Sequence, residues 1–387
     1  MQTGEAAASL PLACIVCLRA SRRFQFGNDR PAREFLTGAV PGMMLPGGHR
    51  VHAVAVAPIA FPEETDEPAR QSPQARVRRV LSRRAANAFM SPSTSPVVSP
   101  FRCVLDIRAS LGECPVWSVA EQVLYWVDIN APSLNRFDPA TGRNTAMPMP
   151  ESIGCFALRR AGGFVIALRS GFWLAREDGT LARKVAAAPY DPAHHRFNDG
   201  RCDPQGRFLA GSMNEARDAA TGALYRLDPD FTLTPLLSGM TISNGLAFSP
   251  DGRTMYHTDT NTQTVNGYEY DAASGTPCHP RVLVRFTAEG DRPDGAAVDR
   301  DGCYWTALYR GGNVKRIAPD GRVLAEYAVP AMCPTMCAFG GPDLKTLYVT
   351  SARQMREADE LAQLPLSGGL FAMAVDVPGL PEPLFAG

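Results

Sequence analysis

Three segments of the chain superpose, with an oxygen-bearing side chain at the same place in each. They are Asn198-Asp-Gly-Arg-Cys-Asp-Pro-Gln-Gly206, Asn244-Gly-Leu-Ala-Phe-Ser-Pro-Asp-Gly252 and Asp294-Gly-Ala-Ala-Val-Asp-Arg-Asp-Gly302. Each begins with Asn or Asp, crosses a short strand-like run and reaches a glycine turn eight residues on. A fourth, Gly112-Glu-Cys-Pro-Val-Trp117, has Glu113 in the matching place. A repeat normally varies its surface and keeps its core, yet here the shared position carries Glu, Asn, Asn and Asp. Arranged about an axis, these side chains converge, and convergent oxygens bind hard cations.

From Leu105 onward, short runs rich in Val, Ile, Tyr, Phe and Trp alternate with Gly, Pro and Asp turns, the texture of strand after strand. Self-comparison puts central strands at Leu124–Asp128, Phe164–Leu168, Phe208–Ser212, Met255–Asp259, Tyr304–Leu308 and Leu347–Ser351. Their spacing of roughly 40–50 residues is that of a β-propeller, and six such units fill residues 99–387. The fold class expected is therefore all-β, a six-bladed β-propeller. Radial stacking lets each four-stranded sheet bury both faces against its neighbours. The innermost strands would line a central channel. The aligned Glu, Asn and Asp residues, expected just before those strands, would ring one mouth. Asp251-Gly252 and Asp320-Gly321 read as simple hairpin turns. Arg353 to Leu364 is the one helical stretch expected.

Residues 1–98 differ in kind. The first hundred residues carry twelve Arg, no Lys and seven acids, and their apolar residues keep no period. With the Pro/Ser cluster at residues 90–100, they read as a low-order extension or linker. Ala6 to Leu18 is apolar but preceded by Glu5 and no basic residue, the wrong flank for a targeting leader. Met90 is an alternative start of translation. The formal net charge of zero argues against nucleic acid or an anionic membrane as partner. No apolar run reaches the roughly eighteen residues of a membrane span. The ten cysteines are scattered rather than framed as disulfides, which points to a reducing, cytoplasmic setting.

At the register residues the chain resembles the SMP-30/gluconolactonase/luciferin-regenerating-enzyme family. Leu111-Gly-Glu-Cys-Pro-Val-Trp117, Arg196-Phe-Asn-Asp-Gly200, Ile242-Ser-Asn-Gly245, Pro293-Asp-Gly295 and Tyr348-Val-Thr-Ser-Ala-Arg353 carry the resemblance, over roughly residues 103–387. It implies a six-bladed propeller with one divalent cation near the channel mouth, held by Glu113, Asn244 and Asp294. It also implies substrate contacts at Arg196, Asn198 and Glu215. Register positions in the two remaining blades, Gly154 and the Thr335 region, bring no such group.

Two carboxylates and an amide suit a single divalent ion: Ca2+, Mg2+ or Mn2+ by oxygen preference, with Zn2+ or Fe2+ also admissible. Cys114 is expected to pack beside the site rather than ligate, because an extended segment turns it to the other face. Three protein ligands leave room for water and substrate, an arrangement that polarises a carbonyl. The expected reaction is hydrolysis of a sugar (aldono-)lactone, such as a glucono-, xylono- or arabinonolactone, with Asp294 as general base. The alternatives are a broader lactonase or organophosphate esterase, and a regucalcin-like calcium-binding protein with regulatory output. Oligomeric state is left open. No Gly-x-Ser-x-Gly elbow and no phosphate-cradling glycine loop competes.

Overall fold

The computed structural model describes residues 99–387, and the low-order reading of residues 1–98 concerns residues outside those described. The described residues form six four-stranded antiparallel sheets. Five are built from consecutive strands. Their first strands are Gly112–Ser118, Ile153–Leu158, His195–Cys202, Ser243–Phe248 and Arg292–Val298, and each sheet runs outward from there. The sixth starts at Pro334–Gly340, continues through Thr346–Ser351 and Leu370–Ala374, and takes its outer strand from Arg102–Leu105, at the other end of the propeller sequence. First strands touch one another blade to blade in a closed cycle of six, so they line the axis. The N-terminal strand thus fastens the ring with hydrogen bonds (Arg102 beside Ala372, Cys103 beside Phe371), a closure the repeat pattern did not reveal.

Two expectations are corrected. The strands read as central are the second of each blade, flanked on both sides within the sheet. The register residues lie inside the axial first strands rather than just before them. The cause is local: every first strand carries a β-bulge at the same place, within 113–116, 153–155, 197–200, 244–247, 293–296 and 334–337. A bulge inserts an unpaired residue and re-aims its side chain. Its glycines serve close approach. Gly245 has φ +62°, and a Cβ there would lie 2.4 Å from the Tyr304 hydroxyl of the next blade. A Cβ on Gly295 would lie 2.3 Å from Met336 Cγ. The Asn-Gly and Asp-Gly pairs at the register are thus bulge residues pressed between blades, not hairpin turns. The helix is shorter than expected, Ala358–Gln363.

Aromatic residues of the first three strands meet across the blade interfaces. Tyr125 reaches Phe156, Phe172 reaches Phe197, Tyr256 reaches Tyr304, Trp305 reaches Phe339, and Trp117 stacks on Tyr348, with centroids 4.6–6.5 Å apart. Leu209, Leu224 and Leu246 fill the remaining interface. Each buried ring contributes apolar area, and each aromatic pair adds about 0.5–1.5 kcal/mol from its geometry. Six of the eight described cysteines are buried and all eight are unpaired. No helix among the described residues is long and apolar enough to cross a membrane.

Carboxylates at the ends of second strands hold the segments that enter the axial ones. Asp128 accepts from the backbone N–H groups of Ser110, Leu111, Asn130 and Ala131 at 2.8–3.2 Å. Asp259 accepts from Thr241 and Ile242 at 2.9 and 3.0 Å. These bonds fix the approach to Glu113 and Asn244. Asp128→Ala would leave the buried Leu111 N–H and the half-buried Ser110 N–H without partners, at a cost of about 1–3 kcal/mol. A matching fall in the urea midpoint at unchanged m-value is the expected result.

Candidate functional site

Glu113, Arg196, Asn198, Asn244 and Asp294, five of the six residues singled out in the sequence, line one pocket at a mouth of the channel, with a cavity volume of about 50 Å³. All five are buried. They come from blades one, three, four and five, each delivered by an axial-strand bulge or the residues beside it. The pocket wall is completed by Leu111, Met213, Arg217, Ile242, Thr260, Arg292, Tyr309 and Gln354.

A chain of hydrogen bonds fixes the polar side chains. Arg196 Nη1 donates to Asn198 Oδ1 at 2.7 Å and to the Phe197 carbonyl at 2.9 Å. Asn198 Nδ2 donates to Asn244 Oδ1 at 2.7 Å and to the Ser243 carbonyl at 3.0 Å. Asn244 Nδ2 donates to Thr260 Oγ1 at 2.8 Å, and that hydroxyl donates to the Pro293 carbonyl at 2.8 Å. With its amine end taken by Thr260, Asn244 keeps an oxygen lone pair for a ligand. The same network links blade three to the backbone beside Asp294.

The carboxylates are less well served. Asp294 Oδ1 is buried with no hydrogen-bond partner among the described residues, and so is Asp199 Oδ1. Glu113 accepts only a long bond from its neighbour Cys114 N, at 3.3 Å. Burial, and then the negative charge of Asp199, push the Glu113 carboxyl up to about 8. Burial, then Glu113 and Asp199, push Asp294 well above the usual carboxylate range. Burial holds Arg196 down at about 10. Converging buried carboxylates, one with an orphaned oxygen, beside an amide oxygen with a free lone pair, form a donor set that fits a hard divalent cation. Glu113, Asn244 and Asp294 are the residues that would hold it. Cys114 turns away, with φ +46°, its Sγ 3.7 Å from the Phe156 carbonyl and 3.9 Å from that of Gly200.

Glu215 is placed differently from the other five. Arg169 holds it in a bidentate pair at 2.6 and 2.9 Å, and its Oε1 lies 3.8 Å from Arg196 Nε. It stands behind Arg196, outside the pocket lining. Sequence reasoning passed over Asp199, although it stands inside the repeat segment. Its Oδ2 accepts from Leu246 N at 2.9 Å, tying blade three to blade four under the pocket. Arg217, Thr260 and Arg292 were also missed. Arg292 had a signal: strand alternation puts the residue two before each register position on the same face. That rule gives Leu111, Arg196, Ile242 and Arg292, all of which line the pocket.

Residues 111–353 match the family model described as SMP-30/Gluconolactonase/LRE-like region. The 6-deoxy-6-sulfogluconolactonase of Pseudomonas putida is 50% identical over 287 residues, covering 74% of this chain and 98% of the relative. The regucalcin of Xenopus laevis is 36% identical over 292 residues, with 74% and 98% covered. Among solved structures, a calcium-binding protein, regucalcin, of Agrobacterium tumefaciens superposes with TM-score 0.71 at 31% identity, covering 74% of this chain and 97% of that one.

Raised carboxyls make the metal-free protein pH-sensitive in a definite direction. Unfolded, Glu113 loses its proton near its ordinary value of 4.5, whereas folded it keeps it to about 8. Its contribution to stability is therefore fully present below pH 4.5 and is lost as pH rises through about 8. A divalent cation competes with those protons. In EDTA, Tm should carry a component that falls between pH 5 and 8. Added Ca2+ or Mn2+ should raise Tm more at pH 8 than at pH 5, with proton release measurable by calorimetry in two buffers.

Proposed function

Because this chain belongs to the SMP-30/gluconolactonase/LRE-like family, we propose that it hydrolyses a sugar lactone to the open-chain sugar acid at the Glu113–Asp294 pocket. The observation that carries the reading is the pairing of two functions in one cavity. Buried carboxylates with an unpartnered oxygen stand beside an arginine and an asparagine that a bare calcium site does not need. The 50% identity to a lactonase acting on a 6-deoxy-6-sulfo sugar supports an aldonolactone as substrate, its sulfonated form included.

Arg196 and Asn198 are locked to each other and to Asn244, so they offer hydrogen bonds to the lactone at little entropic cost. A divalent ion held by Glu113, Asn244 and Asp294 would polarise the lactone carbonyl and supply positive charge where negative charge develops. Asp294 takes a proton from the attacking water as the water oxygen bonds to the acyl carbon. The bond from acyl carbon to ring oxygen then breaks, and the ring oxygen leaves as a hydroxyl by taking up the proton that Asp294 had accepted. Glu215 steadies the guanidinium of Arg196 from behind rather than meeting the substrate directly. The apolar wall of Leu111, Met213 and Ile242 limits the water that reaches the pocket. Which divalent ion serves is set by supply as much as by these ligands, and Ca2+, Zn2+, Mn2+, Mg2+ and Fe2+ all enter the test. The unpaired cysteines favour the cytoplasm as its compartment.

The test is a panel of five- and six-carbon lactones with purified protein, with EDTA and with each ion restored. Turnover that disappears in EDTA and returns with a divalent ion is expected. Asp294→Asn should lower kcat by about 10²–10⁴-fold. Asn198→Ala should raise KM more than it lowers kcat. Metal-restored protein that opens no lactone would sink the reading, and an Asp294→Asn enzyme of normal kcat would remove the base from it.

A further inference from the structure

The pocket contains more positive charge than a neutral sugar lactone can use. Besides Arg196, it is lined by Arg217 and Arg292. Among the described residues, neither of these two guanidiniums makes an ion pair or a side-chain hydrogen bond. The acids nearest them in sequence are committed elsewhere. Glu215 pairs with Arg169, Asp218 accepts from Asn214 Nδ2 at 2.8 Å, and Asp291 pairs with Lys315 at 2.7 Å.

Both arginines are held on the pocket by built structure. Arg292 opens the axial strand of blade five, two residues before Asp294, the place that Arg196 occupies before Asn198 in blade three. Tyr309, also in the lining, is its cross-strand partner. Arg217 sits at φ +58°, an uncommon conformation for a non-glycine residue. Its turn is pinned on both sides. Arg217 N donates to the Asn214 carbonyl at 3.1 Å, Ala216 N donates to Asn214 Oδ1 at 2.9 Å, and Glu215 N donates to the His194 carbonyl at 3.1 Å. Its charge is felt by Asp294, Arg196 and Tyr309, which ties it to the same cavity.

We propose that Arg217 and Arg292 form an anion subsite that reads a sulfonate or phosphate on the lactone's terminal carbon, remote from the acyl carbon. The proposal rests on the lactonase reading and deepens it. Guanidinium forks match tetrahedral oxyanions and bind them through paired, charge-assisted hydrogen bonds. A neutral lactone presents only hydroxyls, which would leave the exposed Arg217 and the half-buried Arg292 with no substrate anion to pair with. The subsite explains why Arg217 and Arg292 stay free of protein carboxylates: an internal partner would compete with the substrate.

The test compares kcat/KM for 6-deoxy-6-sulfogluconolactone, 6-phosphogluconolactone and neutral gluconolactone. It uses the metal-restored wild type and the Arg217→Met, Arg292→Met and double variants, each checked for an unchanged melting curve. The wild type should prefer at least one anionic lactone by about tenfold or more, and that preference should fall at higher ionic strength. Each single variant should cut the anionic-to-neutral ratio by about tenfold, mainly through KM, and the double variant should abolish it. The ranking of the two anionic lactones identifies which group the subsite takes. A second readout needs no catalysis: calorimetry in EDTA with 6-phosphogluconate against gluconate, where the phosphate should add affinity in the wild type but not in the double variant. A wild type that opens neutral gluconolactone with no anionic preference overturns the subsite alone. Loss of both substrates alike in the variants also overturns it. Failure to open any lactone counts against the lactonase reading instead, and the calorimetry then decides the subsite by itself.

Discussion

Six sheets packed face to face around an axis bring six strands close together, and that crowding governs the rest of the molecule. Where the strands pass one another there is room for glycine and little else, as Gly245 and Gly295 show. A regular strand would send a side chain into this space at every second residue. The bulge in each axial strand relieves the crowding and turns one residue per blade toward the channel mouth. In four blades that residue is Glu113, Asn198, Asn244 or Asp294. In the other two the bulge holds Gly154, or Thr335 bonded to the Gly112 carbonyl and Thr350. The ring is thus interrupted on both sides of the blade that carries Glu113, which stands apart from the run of Asn198, Asn244 and Asp294 on three successive blades.

Desolvation follows from the same geometry. Channel-lining carboxylates are cut off from water by the blades that deliver them, so Glu113 and Asp294 resist ionisation. The arginine and amides are tied into one line of hydrogen bonds from Arg196 to Pro293, which crosses three blades. Such a line orders the site before any ligand arrives. Asp128 and Asp259 extend that order outward by fixing the chain just before the axial strands. Free guanidiniums at the rim then give the cavity a polarity: carboxylates deep, cations toward solvent.

Much of this was legible in the residues. The 40–50-residue spacing gave six blades because strand and turn chemistry repeats locally. The register gave four pocket residues because a bulge in each axial strand puts matching positions on one ring, and the family resemblance added Arg196. Other features had no local signature. The strand Arg102–Leu105 looks like any short strand, and only the need to close the ring explains its pairing with Leu370–Ala374. Glu215 carries the same carboxylate as Glu113, yet Arg169, 46 residues away, claims it. Arg217 lies on a loop with no periodicity from which a direction could be read.

The amino-acid sequence by itself determined the repeat, the strands and the donor types at the register. These are properties of neighbouring residues and survive without knowledge of what lies across the axis. Tertiary structure alone decided which strand faces the channel, which carboxylates are left without partners and which arginines stay unpaired. Burial and pairing depend on residues tens to hundreds of positions apart meeting in space. Asp294 and Asp291 show the difference. They are the same side chain three residues apart, but one is buried in the channel with an orphaned oxygen and the other is in an ion pair with Lys315.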